Sequence, residues 1–401
     1  MKKNTSATGW GSVAVHGGHQ SDALHAHLTP IYASSTYVFD SAEQGMHRFT
    51  GQEPGYIYAR WGNPTVTEAE DKISLLETYG LNMEAKGILH ASGMAAVTTL
   101  MMSTLSAGDK ILSHFSLYGG TDELVHRILP RFGVSAVIGD LRDLSVAEQL
   151  LKSDRSIKML YLETPANPTL QCVDLAALCS LAKQYNCLVA CDNTFATPYL
   201  QQPFAFGADF VIHSTTKFLN GHGTAIGGIL IGKDIDRMKG PIGKFFRTTG
   251  ACASPFDAYL LTQGIKTLEV RMDKHCSNAE QVAGFLSGHA AVARVNYTGL
   301  SSHPDHAISA KQMRHPGALM SFELKKGLQG GIDFMNKLKL CVRAVSLGTC
   351  DTLLSHPASM THFSVPKEEK EKYGITDGLI RMHVGIETAA DIIADLNQAL
   401  Q

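Results

Sequence analysis

The sequence predicts an α/β fold with a mostly parallel central sheet, helices on both of its faces, and a smaller α/β domain after it. Three observations carry this expectation. From Thr65 onward, short apolar runs alternate with helical patterns, as consecutive strand–helix units do. Those runs end in polar, glycine- or proline-containing turns, among them Glu163-Thr-Pro, Asp192-Asn-Thr and Ser214-Thr-Thr-Lys217. Past Gly228 the pattern changes to a long helical stretch from Ser254 to Asn278, followed by shorter strand-like runs such as Ala318-Leu-Met-Ser-Phe-Glu-Leu324. The chain therefore divides into an N-terminal arm over 1–66, a large domain over 67–258 and a C-terminal domain over 259–401.

Composition narrows the function classes. At 44% hydrophobic and 18% charged residues, the 401-residue chain can bury a large core. A formal charge of −2 gives nucleic acid no electrostatic footing. The apolar runs are strand-sized, short of the roughly 18 residues of a spanning helix, and Met1-Lys-Lys-Asn-Thr-Ser is not followed by an apolar signal core. The 8 cysteines are scattered, which reads as reduced core residues of a cytoplasmic protein. No metal-ligand spacing, Walker-type loop or internal repeat is present.

Taken in order, the arm mixes glycine, histidine and aromatics without a long helical period, and needs partners to be ordered. Tyr58 and Arg60 stand just ahead of Asn63-Pro-Thr65, where Thr65, with Glu68 three residues on, reads as a helix cap. An arginine beside a tyrosine is either ordinary surface or a phosphate clamp, and from an arm it can serve a neighbouring subunit. Gly87-Ile-Leu leads into Ser92-Gly93-Met94, which is either a simple tight turn or a helix N-terminus whose free N–H groups bind an anion. The runs Lys110–Ser113, Ser135–Ile138, Ile157–Glu163, Cys187–Asp192 and Asp209–His213 supply further strands. Ligands of such sheets sit at the carboxyl ends of the strands. Asp192 there is either a cap or a carboxylate facing a pyridine nitrogen.

Ser214-Thr-Thr-Lys217 delivers two hydroxyls and one lysine from a buried strand into a glycine-containing turn. Hydroxyls suit phosphate oxygens, and a lysine in a dry pocket loses basicity and condenses with an aldehyde, so the stretch by itself is either a surface lysine after a core strand or a site for pyridoxal phosphate. In the C-terminal part, Arg381 interrupts an apolar strand. An unpaired charge there is costly, so it requires a carboxylate partner, internal or from a substrate. His356 and His362 are poorly spaced for one metal and read as polar core or turn residues.

These motifs occur, in order and over nearly the whole chain, as in the Cys/Met-metabolism (trans-sulfuration) pyridoxal-phosphate enzymes, and the chain resembles that family. The resemblance rests on Tyr58 with Arg60, Ser92-Gly-Met94, Leu117-Tyr118-Gly-Gly-Thr, Glu163-Thr-Pro-Ala-Asn-Pro, Asp192-Asn-Thr, Ser214-Thr-Thr-Lys217, His356-Pro-Ala-Ser-Met-Thr-His and Leu379-Ile-Arg381. It implies the type I (aspartate-aminotransferase-like) transferase fold, pyridoxal 5'-phosphate as cofactor, and a homotetramer made of two active dimers. It also implies roles. Lys217 would hold the cofactor through a Schiff base and shuttle protons, and Asp192 would pair with the pyridine nitrogen. Tyr118 would stack on the ring and help protonate the leaving group. Ser92, Gly93, Met94, Ser214 and Thr216 would bind phosphate, with Tyr58 and Arg60 arriving from the neighbouring subunit. Arg381, Ser346 and Asn167 would hold the substrate carboxylate.

Within the family, the stretches 264–279, 334–348 and 356–360 look most like the methionine γ-lyases. That implies α,γ-elimination of methionine or a close analogue to 2-oxobutyrate, ammonia and a thiol. The alternatives are γ-replacement on an activated homoserine, cystathionine chemistry and, remotely, a noncatalytic binding protein. Val345 stands where cystathionine γ-lyases tend to carry glutamate, which argues against a distal amino-acid group on the substrate. Gly120 stands where methionine γ-lyases usually carry cysteine, and Phe246-Arg247 where they carry Lys-Asp. Gly221–Gly228 looks more like the O-acetylhomoserine sulfhydrylases.

Overall fold

A computed structural model of the chain describes residues 9–19, 22–360 and 374–401. Its central sheet has seven strands: β1 (Lys86–His90), β2 (Lys110–His114), β3 (Ser135–Gly139), β4 (Ile157–Glu163), β5 (Leu188–Asp192), β6 (Phe210–His213) and β7 (Gly228–Gly232). They lie in the order β1-β7-β6-β5-β4-β2-β3, and β7 alone runs antiparallel to its neighbours. The expected mostly parallel sheet is therefore present. Strand β7 follows directly on the glycine turn, and its apolar triplet Ile229-Leu-Ile231, flanked by glycines, is too short to stand out as a strand in the sequence.

Helices cover both faces, and the pleat explains the near-continuous apolar strands. In β6, Phe210 and Ile212 face one core with Leu100 and Met159, while Val211 faces another with Phe218 and Leu261. A strand buried on both faces has no polar side to show, so it reads as an unbroken run. All eight cysteines are free thiols, and six of them, Cys172, Cys179, Cys187, Cys191, Cys276 and Cys341, are buried.

The second sheet, β8 (Val292–Asn296), β9 (Leu319–Leu324), β10 (Val342–Arg343), β11 (Leu353–Ser355) and β12 (Leu379–His383), has the order β10-β11-β12-β9-β8 and is antiparallel except for β10 with β11. The helix Leu268–Gly288 joins the two sheets by hydrogen bonds. Its Arg271 donates to the carbonyl of Phe218, next to Lys217, while Asn278 donates to the carbonyls of Gly385 and Glu387, just beyond β12. Lys217 and Arg381 are thus held in relation to each other by one rigid rod.

The arm contains two short helices, α1 (Trp10–His16) and α2 (Ala42–Phe49), before α3 (Pro64–Glu77). The cap of α3 differs from expectation. Asn63, not Thr65, accepts from the backbone N–H groups of Thr65 and Val66. Pro64 fills the first helical position, where its missing N–H costs nothing, so the cap lies one residue before it. Thr65 instead accepts from the Tyr32 N–H and donates to the Pro30 carbonyl, tying the arm to α3. Among the described residues no helix is long and apolar enough to cross a membrane.

Candidate active site

The carboxyl ends of β4, β5 and β6 and the start of α4 (Gly93–Thr104) converge on one region. Ser92 caps α4, its hydroxyl accepting from the Ala95 N–H at 3.1 Å. The helix reading of Ser92-Gly93-Met94 therefore holds, and the unpaired N–H groups of its first turn carry partial positive charge. Gly93 is required by a close approach: a Cβ there would lie 2.9 Å from the Ser214 Cβ. The first turn of α4 and the Ser214–Lys217 turn thereby form one polar cradle. Thr216 closes the turn, its hydroxyl donating to the Gly227 carbonyl and accepting from the Gly227 N–H.

Asp192, ending β5, accepts from both the N–H and the hydroxyl of Thr194. The same Thr194 hydroxyl accepts from the Ser214 N–H at 2.8 Å, so one threonine couples the acid to the lysine-bearing turn. Burial raises the Asp192 carboxyl above its ordinary value, opposed by the two Thr194 bonds and by His213. Behind it, Glu77 accepts from His213 Nε2 at 2.6 Å and from Asn193 Nδ2 at 3.0 Å, a fully buried tie between α3 and the ends of β5 and β6. Tyr118 opens the short helix α5 (Gly119–Glu123); its ring is 53% exposed, and its N–H donates to Glu163 Oε2 at 2.8 Å.

Lys217 Nζ donates to Ser346 Oγ at 2.8 Å, and Arg381 Nη2 donates to the Ser346 carbonyl at 2.7 Å. Ser346 itself has φ of 82°, in the left-handed region that costs a serine about 1–3 kcal/mol. A strained residue that presents its hydroxyl to the lysine and its carbonyl to the arginine is the hub of the site. Burial, and secondarily the Arg381 charge, bring the Lys217 amine down to about 8. Burial brings Arg381 down to about 10. The sequence left the partner of Arg381 open between an internal acid and a substrate. Among the described residues no carboxylate pairs with it, and its Nε is buried without a partner. Asn167 Oδ1 is likewise buried and unpartnered.

Tyr58 and Arg60 are not brought to Lys217 in this chain. The Arg60 guanidinium donates to the Arg247 carbonyl and lies 5.4 Å from the centre of the Tyr58 ring. Arg60, Phe246 and Arg247 line a separate cavity of about 270 Å³. The cavity beside the hub, of about 540 Å³, is lined by Thr216, Gly223, Ile226, Asp257, Val345 and Ser346 among others. His356 is a buried polar residue, within 2.8 Å of both Ser359 Oγ and the Asp377 carbonyl, and His362 lies outside the described residues. Among the described residues no group of side chains is arranged to hold a metal ion.

Sequence reasoning missed Thr194, Glu163 and the Glu77–His213 pair as parts of the site. Asp192-Asn-Thr194 is a local turn pattern that could have found the first. Glu163 was visible as an acid ending the strand beside that of Asp192. Glu77 and His213 lie far apart in sequence, and no local signal joins them.

The residues present fit pyridoxal phosphate: an anion cradle at Ser92–Met94 and Ser214–Thr216, a carboxylate at Asp192, and an amine of lowered basicity between them. The unpartnered Arg381 Nε and Asn167 Oδ1 are suited to an amino-acid carboxylate and its surroundings. Comparison with known proteins agrees. An L-methionine gamma-lyase of Fusobacterium nucleatum subsp. polymorphum is 47% identical over 99% of this chain and 99% of its own. An O-succinylhomoserine sulfhydrylase of Pseudomonas aeruginosa is 37% identical over 97% of this chain and 94% of its own. The crystal structure of a cystathionine gamma synthase from Xanthomonas oryzae pv. oryzae in complex with aminoacrylate and cysteine superposes with a TM-score of 0.91 at 35% identity, covering 98% of each chain. The family model for Cys/Met metabolism PLP-dependent enzymes matches residues 11–401, and with the geometry of the Lys217 hub this places the chain in that family of pyridoxal-phosphate enzymes.

Proposed function

We propose that the chain catalyses α,γ-elimination of L-methionine or a close analogue, taking up water and releasing 2-oxobutyrate, ammonia and a thiol. The observation that carries this reading is the Ser346 hub, which sets an amine at about 8 and a carboxylate-seeking guanidinium on one residue. Pyridoxal phosphate supplies, when bound, an electron-withdrawing ring that acidifies the substrate next to its amino group.

The chain's own residues do the rest. Arg381 and Asn167 hold the substrate carboxylate and so orient the amino acid. Lys217 Nζ would hold the cofactor, and its amine moves protons at the substrate Cα and Cβ. Asp192, fixed by its two bonds from Thr194, would hold the pyridine nitrogen, and Tyr118 delivers a proton to the departing sulfur. The first turn of α4, with Ser214 and Thr216, holds the phosphate. Val345, 59% exposed at the cavity, offers an apolar wall to an S-methyl group rather than a partner for a distal ammonium.

Tyr58 and Arg60 serve the phosphate of a neighbouring subunit, from an arm over 1–66 joined to a large domain over 67–258 and a C-terminal domain over 259–401. Their engagement with each other and with Arg247, away from the hub, supports that assignment. The assembly is a homotetramer of two active dimers in the cytoplasm.

The experiment is product analysis. Purified protein loaded with pyridoxal phosphate is incubated separately with methionine, with cystathionine, and with O-acetylhomoserine plus sulfide, and 2-oxobutyrate and homocysteine are quantified. Rapid 2-oxobutyrate from methionine is expected. Homocysteine from the acetyl ester with methionine inert would move the chain to γ-replacement.

A further inference from the structure

Glu163 and Asp192 end neighbouring parallel strands as register partners, which sets two carboxyl groups side by side in a poorly solvated place. Glu163 is only 8% exposed. Two anions so placed repel, and burial adds a second cost, so such a pair holds one proton between its members. Hydrogen bonding decides which member keeps it.

Asp192 receives two donors, the Thr194 N–H and hydroxyl, and both need an acceptor oxygen. Tyr161, fully buried below, directs its hydroxyl toward the other Asp192 oxygen at 3.5 Å, a long contact. His213 also acts on Asp192, in the direction that favours its charged form. Glu163 receives the Tyr118 N–H on Oε2, while its Oε1 is buried with no partner. The acids Asp192 and Asp122 act on Glu163 to keep its proton, and the Tyr118 N–H and the Thr121 hydroxyl oppose them.

We infer that Glu163 is a positioning residue that works as a neutral carboxylic acid, holding the start of α5 and hence Tyr118 while Asp192 alone carries charge. Burial first, and the neighbouring Asp192 second, push the Glu163 carboxyl well above the ordinary carboxylate range, in line with this division. The consequence for catalysis rests on the reading that Asp192 faces the pyridine nitrogen. One carboxylate then meets one pyridinium without a second, uncompensated negative charge. The carbonyl oxygen of a neutral acid suffices for Tyr118, because a backbone N–H needs an acceptor and not a charge.

The test uses the full chain, with and without pyridoxal phosphate, as parent, Glu163→Gln and Glu163→Leu. Infrared spectra at neutral pH should show a protonated-carboxyl C=O band in the parent that Glu163→Gln lacks. Glutamine keeps the acceptor and the neutrality, so its cofactor dissociation constant should stay within about threefold of the parent's. Leucine leaves the Tyr118 N–H unpaired and should weaken cofactor binding roughly tenfold or more. A band that survives in Glu163→Gln, a tenfold weaker cofactor in that variant, or parental affinity in Glu163→Leu would each overturn the inference. If Glu163→Leu fails to fold, the infrared band and the glutamine variant still decide it. A parent that does not bind pyridoxal phosphate would sink the proposed function, while the band comparison in the cofactor-free protein remains decisive here.

Discussion

Replacing Arg381 by methionine separates two things that usually fall together, fold stability and substrate affinity. Among the described residues, the guanidinium makes one hydrogen bond, Nη2 to the Ser346 carbonyl at 2.7 Å, and its Nε is buried without a partner. Losing that bond costs about 0.5–1.5 kcal/mol, or up to about 3 for a charged donor. Replacing a poorly paired buried charge by an apolar side chain of similar length returns a comparable or larger amount, about 1–4 kcal/mol in favourable cases. The thermal midpoint of the substrate-free protein should therefore equal or exceed the parent's.

Substrate binding should move the other way. A carboxylate that loses its guanidinium partner costs about 2–5 kcal/mol, which is roughly 30- to 5,000-fold in affinity. The assays are thermal unfolding, kcat/KM for methionine, and the dissociation constant of glycine, which presents the same carboxylate without a leaving group. Glycine affinity within threefold of the parent's, with a large fall in midpoint, would refute the assignment. It would mean that Arg381 is anchored internally and does not meet the substrate.

Further expectations follow from the same geometry. Because burial and Arg381 lower Lys217 to about 8, its amine becomes free as pH rises through that value. Capture of pyridoxal phosphate by the cofactor-free protein should climb with pH around 8 and then level off, and Arg381→Met should move the midpoint upward; stopped-flow absorbance against pH reads both. By linkage, the folded state binds fewer protons at Lys217 than the unfolded chain between about 8 and about 10.4, so the cofactor-free protein gains stability across that window as pH rises. At Gly120 an added Cβ would lie 2.7 Å from Tyr118 Cε1 and 3.1 Å from Met94 Sδ. Gly120→Ala should displace the Tyr118 ring and lower kcat about 3- to 30-fold without unfolding the protein, and an unchanged kcat would detach Tyr118 from the chemistry. With φ of 82°, Ser346→Gly relieves strain that Ser346→Ala retains. Both remove the bond to Lys217, and the glycine variant should be the more stable by about 1 kcal/mol in urea unfolding.

The parts of this molecule that were legible in its sequence are those fixed by neighbours along the chain. Ser92 caps a helix through Ala95, and Ser214 to Lys217 follow a strand directly. Asp192 ends another strand, and each has its role written within a few residues. Asn63 against Thr65 was also a local choice, and Pro64 between them held the answer: proline at the first helical turn position puts the cap before it. What stayed hidden depends on distance. Glu77 meets His213 only when α3 packs behind β6, and Ser346 becomes the hub only when the second sheet closes against the turn after β6. Whether Arg381 had an internal acid could not be read from an arginine in an apolar strand, since the answer lies in what the other strands bring to it. The arm poses the same difficulty, because Tyr58 and Arg60 have local contacts here while their proposed task lies in another subunit.

The central claim is that Lys217 is the amine that carries the cofactor. Reducing the pyridoxal-phosphate-loaded protein with borohydride, digesting it and locating the pyridoxyl group by mass spectrometry tests this directly. The account predicts a single label on Lys217, within the peptide that also holds Ser214 and Thr216. A label on another lysine, with Lys217 unmodified, would contradict it.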